Sequence, residues 1–155
     1  MKISLACDHG ALTLKQAVRK HLEDLGHEVT DFGTFTPDSC DYSDYGILAS
    51  KAVASGQCER GVLLCTTGIG MSMTANKVKG IRCALLSDLM SARLTRQHND
   101  ANVIAMGAAV LGEKLALEIL AVFLTTEFEG GRHQRRIDLL TEYEKTGTPP
   151  ALPGN

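Results

Sequence analysis

The sequence predicts a three-layer α/β/α sandwich around a five-stranded parallel sheet. Two observations predict it: short apolar runs alternate with longer segments of helical period, and glycines or polar turns fall where one pattern gives way to the other. Ile3 to Cys7 is the first strand, with Asp8-His9-Gly10 as the turn after it. Leu12 to Leu25 repeats Leu14, Val18, Leu22 and Leu25 at helical spacing and stops at Gly26, a residue suited to the C-terminal cap. His27 to Phe32 alternates as a second strand. Thr34 to Asp44 is a polar loop containing Pro37, followed by a helix through Ala54. Gly61 to Cys65 is apolar on both faces, as a central parallel strand should be. Thr66 to Gly70 turns into a helix that ends before Gly80. Ile81 to Leu86 is the fourth strand, Asp88 to Gln97 an amphipathic helix, Asn102 to Met106 the fifth strand and Glu113 to Thr125 an apolar helix. A last helix runs from Arg132 to Glu144 after Glu129-Gly130-Gly131. Residues 1–145 form one domain. The tail 146–155 is rich in Pro and Gly, packs no core, and is expected to be mobile or draped on a partner.

A chain of 155 residues is one domain's worth, and 44% hydrophobic with 22% charged residues is the balance of a globular protein. Sixteen Lys+Arg against eighteen Asp+Glu leave a net charge of −2, which offers no electrostatic footprint for nucleic acid or an anionic membrane. No apolar run reaches the ~18 residues of a membrane span, and MKISLACDHG lacks the apolar core of a signal peptide, so a cytoplasmic location is expected. The five cysteines include no CxxC pair and read as free thiols in a reducing compartment. The five histidines include no HExxH. Neither a metal nor another cofactor is expected.

Ligands of open parallel sheets bind beyond the carboxyl ends of the strands. Three polar segments are expected to share that edge: Cys7-Asp8-His9-Gly10, Cys65-Thr66-Thr67-Gly68-Ile69-Gly70 and His98-Asn99-Asp100. The Cys65 segment is the strongest signal. A glycine-rich turn from strand to helix presents backbone N–H groups to an anion or a developing oxyanion, and a thiol at its lip gains thiolate character. A buried cysteine beside a helix capped by Thr66 or Thr67 accounts for the same letters equally well. A cysteine-phosphatase loop would need Arg where Met71 stands, and a P-loop would need Gly-Lys-Ser/Thr where the sequence has Gly70-Met71-Ser72. Asp8-His9 also reads as a helix cap, and His98-Asn99 as a favourable cation at a helix C-terminus. Arg132 and Arg136 lie one turn apart at a helix start, where cations oppose the helix dipole. A facing anionic ligand would resolve that conflict.

Taken together, CDHGA, DYSDY, CTTGIGMSMTANKVKGIRCAL, RQHNDANVIAMG and EGGRHQRR resemble the ribose-5-phosphate isomerase B family, which includes allose-6-phosphate and galactose-6-phosphate isomerases. The resemblance spans residues 1 to 145. It implies a Rossmann-like sandwich, a homodimer that shares its active sites between subunits (or a tetramer), and cofactor-free interconversion of ribose 5-phosphate and ribulose 5-phosphate through a cis-enediolate. By position, Cys65 matches the base that moves the proton between C1 and C2, since the alternative family branch has Glu where this chain has Ile69. His98 matches the ring-opening residue, with Asp8 beside it, and Thr67 matches a residue that helps move protons between the substrate oxygens. The N–H groups of Gly68, Ile69 and Gly70, with Asn99, match the enediolate site. His9, Arg132 and Arg136 match phosphate ligands, and Tyr42 matches a residue that packs against the sugar. The family usually has Cys-Gly-Thr-Gly, so Thr66 is a departure at the edge of the sugar pocket, and Ser43, often proline in the family, is a lesser one. Other readings are a six-carbon sugar phosphate as substrate, a cysteine phosphoryl carrier, or a non-catalytic sugar-phosphate sensor.

Overall fold

The computed structural model describes residues 1–149 and 151; the remainder of the predicted tail lies outside the described residues. The chain runs β1 (Lys2–Cys7), α1 (Leu12–Asp24), β2 (Glu28–Asp31), α2 (Tyr42–Ala54), β3 (Arg60–Cys65), α3 (Ile69–Ala75), β4 (Cys83–Leu85), α4 (Leu89–Asn99), β5 (Val103–Gly107), α5 (Glu113–Thr125) and α6 (Arg132–Thr146). One turn of 3-10 helix, His9–Ala11, leads into α1. All strand pairs are parallel, in the order β2-β1-β3-β5-β4. The chain leaves β1 for one edge and returns to β3 on its other side, so the topological switch point lies between β1 and β3.

Side chains of alternating parity leave opposite faces of the sheet and build two cores. Ile3, Leu5, Val62, Leu64, Ile104 and Met106 pack toward α1, α4 and α5, where Phe123 is fully buried. Ala6, Leu63, Cys65, Val103 and Ala105 pack toward the shorter layer of α2 and α3. That second layer keeps a good deal of apolar surface in the open: Ile47, Leu48, Ile69 and Met73 are all exposed. The central strands β1, β3 and β5 are almost wholly buried, and their near-continuous apolar runs made them legible.

Several boundaries differ from the sequence reading. β4 is three residues rather than the predicted Ile81 to Leu86, because an edge strand has only β5 to pair with. Helix α2 begins at Tyr42, so this residue sits in a first helical turn rather than in the loop. Helix α6 continues past the expected Glu144 to Thr146, capped by Gly147 in the left-handed region (φ 68°), while α3, ending at Ala75, stops before Gly80 as expected.

A buried ion pair ties the loop after β2 to the sheet. Lys15, 3% exposed, donates from Nζ to Asp31 Oδ1 at 2.9 Å and to the Thr34 carbonyl at 2.7 Å. Asp31 also accepts the Gly33 N–H at 2.9 Å. Cys7 N–H donates to the Gly33 carbonyl, and Thr34 N–H to the Cys7 carbonyl. Removing one partner of such a pair strands a buried charge, at a cost of ~3–5 kcal/mol.

Candidate functional site

Two clusters carry the polar residues singled out above. The first lies at the carboxyl ends of β1 and β3, on either side of the switch point. Asp8 is 7% exposed, and its Oδ1 accepts the Gly10 N–H at 2.9 Å. His9 is exposed, and its Nδ1 accepts the Cys40 N–H at 3.2 Å. That bond fixes the imidazole as the Nε2–H tautomer, with a donor facing outward. Cys65 is buried at the last position of β3, and the Gly68 N–H donates to its Sγ at 3.0 Å. Burial pushes the Cys7 and Cys83 thiols up to about 12 and raises Cys58 as well, which removes these three from thiolate chemistry near neutral pH.

The loop that holds Cys65 is locked to β5. Ala108 N–H donates to the Cys65 carbonyl and Ala109 N–H to the Thr66 carbonyl, both at 2.9 Å. Gly68 caps α3 with φ 79°, and a Cβ there would stand 2.8 Å from the Met106 carbonyl carbon. Glycine is therefore required on both backbone and packing grounds. A Cβ on Gly107 would stand 2.6 Å from the Thr67 carbonyl carbon, so the loop and β5 touch backbone to backbone. The Ile69 N–H donates to Thr67 Oγ1 at 3.3 Å, while the Gly70 N–H has no acceptor among the described residues. The Tyr42 ring lies over Gly70, within 2.9 Å of where a Cβ would be.

Thr66 does not bend the loop. Among the described residues Asp100 is the only non-glycine with positive φ, so Thr66 keeps an ordinary L-residue backbone. Its hydroxyl occupies the space a Cβ on Gly10 would need, and the residue is exposed at the edge of the cluster.

The second cluster does not join the first, and this corrects the expectation of a shared edge. His98 and Asn99 close α4, which begins beyond the carboxyl end of β4 and runs antiparallel to it. Its C-terminus therefore returns to the amino ends of the strands. There Arg82, just before β4, donates from Nε to the Asn99 carbonyl at 2.9 Å, and Gly61 N–H bonds the Asn102 carbonyl at 3.0 Å. Cys65, by contrast, pairs with Gly107 at the far end of β3. A strand of five residues separates the clusters by roughly 15 Å. Arg132 and Arg136, both exposed on the first turns of α6, lie beside His98 rather than beside His9. A cleft of about 510 Å³ is lined there by Asn76, Arg82, His98, Asn99, His133 and Arg136.

Two residues of this cluster went unnoticed in the sequence. The His133 ring stacks on His98 with centroids 4.2 Å apart and planes 6° from parallel. Glu129 Oε2 lies 3.6 Å from His133 Nε2 and 4.0 Å from His98 Nε2. Burial, with His98, Arg132 and Arg136 nearby, holds His133 below the usual imidazole range, against the opposing pull of Glu129. The three groups have donor types that suit a metal ion. Parallel rings, however, direct their lone pairs into separate planes, and two arginines flank them, so the arrangement suits an anion better than a cation. The α4 end is held by Arg96, 3% exposed, which donates to Asp100 Oδ1 at 2.7 Å and to the Ala101 carbonyl at 2.6 Å. Glu129 N–H donates to the Gln97 carbonyl, tying the link before α6 to the same turn.

Fold and clusters together describe a doubly wound α/β enzyme with a thiol at its switch point. A model of the ribose/galactose isomerase family matches residues 3–140. Escherichia coli ribose-5-phosphate isomerase B is 44% identical, over 93% of this chain and 97% of that protein. The solved ribose-5-phosphate isomerase B of Clostridium thermocellum is similar at TM-score 0.94 and 46% identity, covering 96% of this chain and 100% of that one. The Mycoplasma genitalium ribose-5-phosphate isomerase B, solved with bound ribulose-5-phosphate, is similar at TM-score 0.90 and 40% identity, covering 94% and 97%. The chain belongs to the ribose/galactose isomerase family, and within it to the ribose-5-phosphate isomerase B group. Phosphoryl carrier and sensor are thereby set aside.

Proposed function

We propose that this isomerase interconverts ribose 5-phosphate and ribulose 5-phosphate at sites built from two copies of the chain. The observation that carries the reading is the seat of Cys65, buried at the switch point with the Gly68 N–H 3.0 Å from its sulfur. One copy supplies Cys65, Thr67, Asp8, His9 and Tyr42. The other supplies His98, Asn99, Arg132 and Arg136. The separation of the clusters supports the two-copy site, as do the exposed apolar side chains of α2 and α3, which give a second copy a surface to cover. No helix among the described residues is long and apolar enough to cross a membrane. We place the enzyme in the cytoplasm, where its five free thiols stay reduced.

The chemistry has three parts. His98, with Asp8 of the other copy opposite it, opens the furanose by moving one proton to the ring oxygen as another leaves the C1 hydroxyl. Cys65 thiolate then takes the proton from C2 of the aldose and returns it to C1, while Thr67 relays a proton between O1 and O2. The negative charge of the enediolate rests on the loop around Gly70 and on Asn99. His9 Nε2–H and the two arginines hold the phosphate, which orients C1 and C2 over the sulfur. Incubating the purified protein with ribose 5-phosphate and following ketose formation tests the reaction; no ketose formed would reject it.

The arginine assignment has its own test. Arg136→Ala is expected to raise KM for ribose 5-phosphate by about tenfold to a hundredfold, as loss of one charged hydrogen-bonding partner does, with a smaller change in kcat. Steady-state kinetics showing an unchanged KM would remove Arg136 from the phosphate site.

A six-carbon sugar phosphate is the second reading, and Thr66, exposed at the edge of the Cys65 cluster, is the residue that bears on the choice. Because Thr66 keeps an ordinary backbone, Thr66→Gly is expected to preserve the loop and act on pocket volume alone. The ratio of kcat/KM between five- and six-carbon phosphates should then change by ~1–3 kcal/mol, about ten- to a hundredfold. An equal change for both sugars would show that the loop path, rather than the pocket, had moved.

A further inference from the structure

The two stacked imidazoles sit at opposite kinds of helix end. His98 lies in the last turn of α4, where the helix dipole favours positive charge, and His133 in the first turn of α6, where it disfavours it. Rings 4.2 Å apart do not both carry a proton readily, because two like charges at that distance repel. One neighbour favours a proton on His133, since Glu129 Oε2 lies 3.6 Å from His133 Nε2 and 4.0 Å from His98 Nε2; the burial of His133 and the two arginines beside it work the other way. His133 has a side chain 6% exposed, and Arg132 Nε donates to its Nε2 at 3.4 Å, a bond that needs a free lone pair there. Arg136 stands one turn further along the same helix. His98 is more open to solvent, at 36%, and its Nε2 faces the Glu129 carboxylate. The other charges near it are Arg96 and Asp100 of its own helix, bonded to each other, and Arg82, bonded to Asp100.

We propose that His98 and His133 work as one pair in which the proton resides on His98, with Glu129 as its counter-ion and His133 as a neutral plate that holds the ring in place. Glu129 and His133 are thus positioning residues: neither needs to touch the sugar. The pair delivers an imidazolium at the ring-opening position, ready to protonate the ring oxygen as the C1–O bond breaks. The C1 hydroxyl proton goes to the carboxylate opposite. The inference rests on the ring-opening role of His98 proposed above, but the location of the proton can be measured without it.

The experiment is an NMR titration of the histidine rings in the isotopically labelled resting protein, with H133F, which keeps a stacking ring, used to assign the two resonances. In the wild-type protein His98 is expected to titrate at higher pH than His133. E129Q removes the negative charge and should lower the His98 midpoint by about 0.5–1 pH unit, and E129D should recover part of that shift. In E129Q the high-pH limb of kcat/KM for ribose 5-phosphate should move down by the same amount, with KM nearly unchanged. If His133 titrates above His98 in the wild-type protein, or if E129Q leaves the His98 midpoint where it was, the proposal is overturned. If the midpoint moves and the kinetic limb does not, the proton placement stands and the ring-opening role of His98 falls.

Discussion

Cys65→Ala is expected to lower kcat for ribose 5-phosphate by about a thousandfold or more, the range associated with loss of a positioned general base, while KM stays within a few-fold. The sulfur lies at the end of a strand whose neighbours are held by backbone contacts rather than by the thiol. The loop should therefore survive its removal: Gly68 packs on Met106 and Gly107, and Ala108 and Ala109 still bond the Cys65 and Thr66 carbonyls. What disappears is an interaction made in the transition state, and that signature is a fall in kcat without a matching rise in KM. Ketose formation for kcat, and calorimetric binding of a non-reacting sugar phosphate for affinity, separate the two quantities. A kcat near that of the wild-type enzyme would exclude Cys65 as the base.

The second large effect is a rescue. Cys65→Ala and His98→Asn chains should each be nearly inactive alone, because each removes one half of every site. Mixed, dissociated and reassociated at equal amounts, they should regain about a quarter of wild-type activity. Half of the random dimers pair one of each, and one of the two sites in such a dimer receives an intact half from both chains. The opposite placement of the clusters motivates this: His98 closes a helix at the amino ends of the strands, and Cys65 closes a strand at their carboxyl ends. Verified heterodimers without activity would mean that a single chain brings the two clusters together by some larger movement.

The central strands could be read from the sequence because burial on both faces leaves unbroken apolar runs, as in Gly61 to Cys65 and Val103 to Met106. The edge strand β4 was overestimated because nothing in its letters marks how few residues find a partner. At the site, the glycine turn after Cys65 was legible as a turn from strand to helix, though not as a catalytic one, and contacts in the structure account for both Gly68 and Gly107. The placement of His98 was not. A polar helix end looks the same at either edge of a sheet, and only the direction of the helix relative to its strand decides which edge it reaches. His133 and Glu129 were hidden for a related reason. Charged and polar letters at a helix start describe a solvated surface, and the stack on His98 joins residues 35 positions apart, the first at the end of α4 and the second at the start of α6.

The distance between the two clusters also bears on how activity depends on the amount of protein. On the two-copy reading a lone chain holds a base without its acid at one end of the sheet, and an acid without its base at the other. Turnover then belongs to the encounter complex and not to the chain, so specific activity should decline on dilution once the concentration falls below the dissociation constant of the pair. Substrate that touches both copies opposes that decline, since a ligand binding only the assembled state shifts the equilibrium toward it. The sugar phosphate would in that sense help to assemble the catalyst that consumes it.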